Sequence, residues 1–96
     1  MNKSPSKTDV LDLYFVENRA KILDLAAFID RFDRAEGPAA VASDPRWIGM
    51  TKALSVLVDQ AGEKARRILE LWSDPSQAPI DRAEGKGAIG VWPGLR

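Results

Sequence analysis

Between Thr8 and Ala35 the chain has neither glycine nor proline, and Leu11, Phe15, Asn18, Ile22, Leu25, Ile29 and Phe32 recur there at intervals of 4, 3, 4, 3, 4 and 3 residues. Only an α-helix returns such positions to one side, because its 3.6-residue turn brings every third or fourth residue to the same face. The run is about 28 residues long, and its seam has the spacing of the a and d positions of a coiled coil. Ser6 or Thr8 can supply the capping oxygen, and Asp9 suits the positive end of the helix. Gly37 and Pro38 end it. Residues 1–7, polar and interrupted by Pro5, are expected to be disordered.

A second start signal follows at Ser43-Asp44-Pro45: a capping side chain, then proline at the first helical position. Trp47, Met50, Leu54, Val58, Ala61, Ala65, Ile68 and Trp72 then share one stripe, with Leu57 and Leu69 beside it. The phase runs through Gly62, which predicts one helix ending near Ser73, with Trp47 and Trp72 closing opposite ends of its core. A helix kinked or broken in Asp59-Gln60-Ala61-Gly62-Glu63-Lys64 is the competing reading, since glycine costs about 1 kcal/mol inside a helix. Two helices of matched length joined by seven or eight residues predict an all-α fold. The expected architecture is a long antiparallel hairpin over residues 8–77, completed as a dimeric four-helix bundle or by a partner.

After Ser73-Asp74-Pro75, which predicts one further short turn before Pro79, residues 78–96 hold four of the seven glycines. They read as an extended Gly/Pro-rich tail, anchored through Ile80, Val91 or Trp92. Within it, Asp81-Arg82-Ala83-Glu84-Gly85 duplicates Asp33-Arg34-Ala35-Glu36-Gly37. At that 48-residue offset, residues 14–32 match 62–80 only at Arg19/Arg67 and Leu23/Leu71. The echo is local helix-stop grammar and no internal repeat. Gly85-Lys86-Gly87-Ala88-Ile89-Gly90 spells G-x-G-x-x-G, but no strand precedes it and no helix follows to receive a phosphate. No cofactor is expected.

The chain has no cysteine and no histidine. Thiol nucleophiles, disulfides, Cys/His zinc sites and imidazole bases are therefore excluded. Lys+Arg and Asp+Glu balance at 14 each, against the basic excess of a nucleic-acid binder. The first ten residues lack the apolar core of a secretory signal, and no apolar run approaches the ~20 residues of a membrane span. A cytoplasmic protein is expected.

The first helix carries a second apolar face, Leu13, Val16, Ala20, Leu23 and Ala27, opposite the seam. A helix apolar on two sides needs cover on both, so these five residues are the interface candidates, together with Trp92 as an aromatic anchor in the tail. Phe15, Ile22, Leu25, Ile29, Trp47, Leu54, Val58 and Trp72 are the expected core. Asn18, polar within the seam, is expected to fix register and oligomeric state. Glu17 and Lys21, and Asp30 and Arg34, have the i,i+4 spacing of surface ion pairs. A carboxylate metal site is not expected, because the second helix offers few inward acids and the chain has no histidine.

Tyr14-Phe15-Val16-Glu17-Asn18-Arg19-Ala20-Lys21, running into Leu23-Asp24-Leu25-Ala26-Ala27-Phe28-Ile29-Asp30-Arg31, and the exit Ser73-Asp74-Pro75 before Pro79-Ile80 resemble a group of small bacterial helical proteins. These have a YFxExRAxLLDxAAFLDR-like first helix and an SDPxxxPI-like exit, over about a third of this chain. The resemblance implies no assigned activity and no functional residues, though it points to Tyr14, Glu17, Arg19 and Asp30.

The function expected is that of a non-catalytic protein–protein interaction module or accessory subunit, a homodimer or the subunit of a hetero-complex. One alternative is a small enzyme or ligand-binding bundle with a pocket at Tyr14, Asn18, Glu17 and Arg19. Carboxylate acid–base chemistry needs no histidine, and a buried Glu17 would favour this reading. A further alternative is RNA binding through the densest basic cluster, Lys64, Arg66 and Arg67.

Overall fold

In the computed structural model the described residues are 4–37, 39–76 and 89–96. They are all-α, with three helices and no strand among them. The chain divides into two units, Met1–Gly37 and Pro38–Arg96.

The first unit is built on one helix, α1 (Lys7–Arg34). Of the two capping candidates, Ser6 serves. Its Oγ accepts from the Asp9 backbone N–H at 3.0 Å, and the Asp9 carboxylate accepts from the Ser6 N–H at 3.1 Å, closing a reciprocal capping box. Arg31 and Arg34 occupy the last turn, where positive charge suits the helix dipole. The helix stops in extended backbone at Ala35, whose N–H donates to the carbonyls of Arg31 and Phe32. The stop thus falls two residues before Gly37.

The second unit opens with a short 3₁₀ turn, Ala39–Ser43, and continues with α2 (Pro45–Val58) and α3 (Lys64–Trp72). Asp44 caps α2, with Pro45 in the first turn as the sequence predicts. The continuous second helix expected through Gly62 is not formed: helical structure ends at Val58 and resumes at Lys64. The physical reason is a set of polar contacts that closes the turn. The Asp59 carboxylate accepts from the Ala61 N–H at 3.0 Å and from Lys64 Nζ at 2.9 Å, and it receives both terminal nitrogens of Arg67. Lys64 Nζ also donates to the carbonyls of Val56 (2.9 Å) and Asp59 (2.7 Å) at the helix end, where the Val56 carbonyl also accepts the Asp59 N–H at 3.3 Å. Glu63 enters α3 with φ 57°, a left-handed conformation that few non-glycine residues adopt.

The break reverses the chain. Lys64, at the start of α3, lies beside Val56 near the end of α2, while Trp72, at the end of α3, donates its indole N–H to the Gly49 carbonyl at 3.1 Å. The helices α2 and α3 therefore form a short antiparallel hairpin. Trp72 lies at the same end of it as Trp47, and the two do not close opposite ends of one long helix. The stripe expected to continue past the turn instead ends at Val58, which is 79% exposed.

The last eight residues return to this hairpin. The Trp92 N–H donates to the Trp72 carbonyl at 2.7 Å, and the Leu95 N–H to the Trp92 carbonyl at 3.1 Å. Gly49, Ala53 and Leu95 are buried. A Cβ on Gly49 would stand 3.0 Å from Val91 Cγ1 and 3.2 Å from Leu95 Cδ2 and Trp72 Nε1. Glycine at this position lets the indole and the returning segment approach the α2 backbone. The small core is thus shared by α2, α3 and residues 91–95. The Asp74 carboxylate accepts from the Ser76 N–H and hydroxyl, a turn in the described part of the predicted exit. Ile80, Pro79, the second DRAEG copy and most of the glycine motif lie outside the described residues.

Candidate interaction surface

Along α1 every residue is exposed except Leu25, Ile29 and Phe32, which are half-buried. Nine of its large apolar side chains are exposed: Val10, Leu11, Leu13, Tyr14, Phe15, Val16, Ile22, Leu23 and Phe28. These include the expected second face, where Leu13 and Val16 are 73% and 77% exposed and Leu23, Ala20 and Ala27 are exposed as well. They also include seam positions expected to be core: Phe15 is exposed, and Ile22 is 67% exposed. A long helix whose apolar side chains face water on both sides has little stability of its own, since most helical stability in proteins comes from packing one apolar face.

Polar residues on the same helix complete the surface. The Asn18 amide donates to the Tyr14 carbonyl at 2.8 Å, so part of its hydrogen-bonding capacity is met within its own helix. Glu17 is exposed. Among the described residues no ion pair joins Glu17 to Lys21 or Asp30 to Arg34.

Elsewhere the charges are matched locally. Arg46 binds the capping Asp44 through Nε at 3.1 Å and a terminal nitrogen at 2.8 Å. This contact, with the Arg46 backbone N–H, lowers the Asp44 carboxyl to about 2. Asp59 is held well below the usual carboxylate range by Arg67 first and Lys64 second. Arg66 lies 3.7 Å from Glu63 and 3.5 Å from Glu70. Each cation of the basic cluster thus has an acidic partner, and the patch carries no surplus charge with which to attract phosphate.

In the second unit, Trp47, Leu54 and Trp72 are half-buried, as is Trp92, whose ring stacks against Gly94: a Cβ there would come within 2.5 Å of it. A shallow cleft of about 430 Å³ lies between the start of α2 and Pro93–Arg96. Among the described residues its side chains are mostly apolar, with Ser43 and Arg96 the polar ones, too few to fix a small ligand's orientation.

Four residues that organise this unit escape the sequence reading: Gly49, Ala53, Leu95 and Asp59. Gly49 and Ala53 carry a signal, two small residues one helical turn apart. Asp59 carries another, with Lys64 and Arg67 five and eight residues downstream. Leu95 carries none. Comparison of the chain with models of protein families, with curated proteins and with solved structures returns no match.

Proposed function

We propose that this protein is a non-catalytic interaction module, an adaptor or accessory subunit, in which α1 is the docking element and the Pro38–Arg96 unit a small domain with its own core. The observation that carries this reading is the row of nine exposed large apolar side chains along α1. Exposed apolar surface on that scale, rimmed by charged residues, marks protein–protein contact. A second copy or a different protein supplies the cover, so the module works as a homodimer or within a hetero-complex. A cytoplasmic location and kinship with the small bacterial helical proteins it resembles belong to the same proposal. Among the described residues no helix is long and apolar enough to cross a membrane.

The pocket reading draws no support from Glu17, which is exposed. The RNA reading is weakened by the acidic partners of Lys64, Arg66 and Arg67. Absolute mass by light scattering across a hundredfold dilution, with helicity recorded alongside, tests the proposal. It predicts association, or loss of helicity where the partner is missing. A monomer that stays fully helical at every concentration would contradict it.

A further inference from the structure

We propose, resting on the interaction-module reading, that the N-terminal part of the α1 seam pairs antiparallel with the same segment of a second copy of this chain. The seam is not uniformly open. Leu11, Phe15, Asn18 and Ile22 are exposed, whereas Leu25, Ile29 and Phe32 are half-buried within the single chain. The free stretch therefore runs from Leu11 to Ile22. An antiparallel pair about a two-fold axis between Val16 and Glu17 uses that stretch twice, as an isologous interface requires. In that register Leu11 layers with Ile22 of the second copy, and Phe15 with its Asn18.

Charge selects the register. In an antiparallel helix pair the residues following the d positions face their own kind across the seam. Here those are Asp12, after Leu11, and Arg19, after Asn18. The pairing above sets Asp12 against Arg19 of the second copy and Arg19 against its Asp12, two reciprocal ion pairs. Among the described residues neither side chain has a hydrogen bond or ion pair. Seven residues apart on one helix, they stand about 10 Å from each other along its axis, too far to satisfy one another.

Sliding the copies by one heptad opposes Arg19 to Arg19 and Lys21 to Lys21. Sliding by two opposes Asp12 to Asp33, and a third heptad releases Leu11 and Phe15 altogether. A parallel, in-register pair would run on into Leu25, Ile29 and Phe32, where the seam is already half-buried. Asn18, whose amide donates to the Tyr14 carbonyl, can accept the Phe15 ring beside it with part of its polar group already satisfied.

The absence of cysteine makes the test clean. Full-length Leu11→Cys and Ile22→Cys proteins, oxidised separately and as a mixture, should give a covalent dimer only in the mixture. A dimer from Leu11→Cys alone would show parallel pairing and overturn the proposal. In sedimentation equilibrium, Asp12→Arg should raise the dimer Kd about tenfold, and the swap Asp12→Arg/Arg19→Asp should restore it. A Kd unmoved by the reversal would also overturn the proposal. A wild-type monomer whose helicity is low would overturn the second copy as occupant while leaving the docking role of α1 to a different protein. A fully helical monomer at every concentration would overturn both.

Discussion

The two units of this chain treat apolar surface in opposite ways. In the Pro38–Arg96 unit, helices of 14 and 9 residues fold back on each other, and a returning segment closes over Gly49 and Ala53. In the Met1–Gly37 unit, a helix of 28 residues leaves nine large apolar side chains open. Length and good capping are thus separate from cover. Strong local signals define where α1 starts and stops, and they do nothing to bury its faces. The shorter helices, interrupted by an awkward left-handed residue, are the ones with a core. All three tryptophans, Trp47, Trp72 and Trp92, lie in the second unit, and the single tyrosine, Tyr14, lies on α1. Tryptophan emission therefore reports one unit while far-ultraviolet dichroism reports both.

The contrast breaks most readily at Gly49. Gly49→Val forces methyl groups into Val91, Leu95 and the Trp72 indole and should destabilise the second unit by about 2–3 kcal/mol. The denaturant midpoint followed by tryptophan emission should fall. An unchanged midpoint would mean the returning segment does not pack on α2. Ser6→Ala addresses the other unit. It removes the capping box and should cost α1 about 1 kcal/mol, seen as lost helicity with the tryptophan transition unmoved. Trp72→Phe deletes the indole donor to the Gly49 carbonyl and should lower the second unit's stability by about 1 kcal/mol, again by urea titration.

The smallest effect concerns the turn between α2 and α3. Asp59 has a depressed pKa in the folded chain, so its contribution to stability is present above the ordinary carboxylate value, about pH 4, and is lost as the pH falls below it. Thermal melts followed by tryptophan emission should show a loss between roughly pH 4 and pH 2 that Asp59→Asn reduces, with Asp44, lowered to about 2, contributing to the remainder. Because the group is open to solvent, 1 M salt should shrink the effect.

Much of the helical layout was legible in the sequence. The first helix, expected over residues 8–35, spans Lys7–Arg34. Asp44 and Pro45 open α2, and helical structure ends at Trp72, beside the predicted Ser73. The break at 59–63 was not legible from periodicity, because a hydrophobic phase can run on through a turn by coincidence. What decides there is a tertiary set of contacts, Asp59 with Lys64 and Arg67, which a helix-period count does not weigh. The phase of the buried face is hard to read from periodicity for a related reason. Large residues such as Val58 draw attention, yet the closest packing in α2 is at Gly49 and Ala53, where being small is the qualification. On α1 the two apolar faces show in the sequence as two interleaved heptad series, whereas the exposure of Phe15 and Ile22, expected as core, does not.

In the proposed interaction module the second unit holds its own core while α1 depends on cover from another chain. Amide hydrogen exchange on the full-length protein, resolved along the chain at two concentrations a hundredfold apart, tests it most directly. If a second copy is the cover, α1 amides should lose protection on dilution while those of α2 and α3 keep theirs. If a different protein is, α1 should be weakly protected at both concentrations. Strong, concentration-independent protection along the whole of α1, matching that of α2 and α3, would show that α1 needs no cover from another chain.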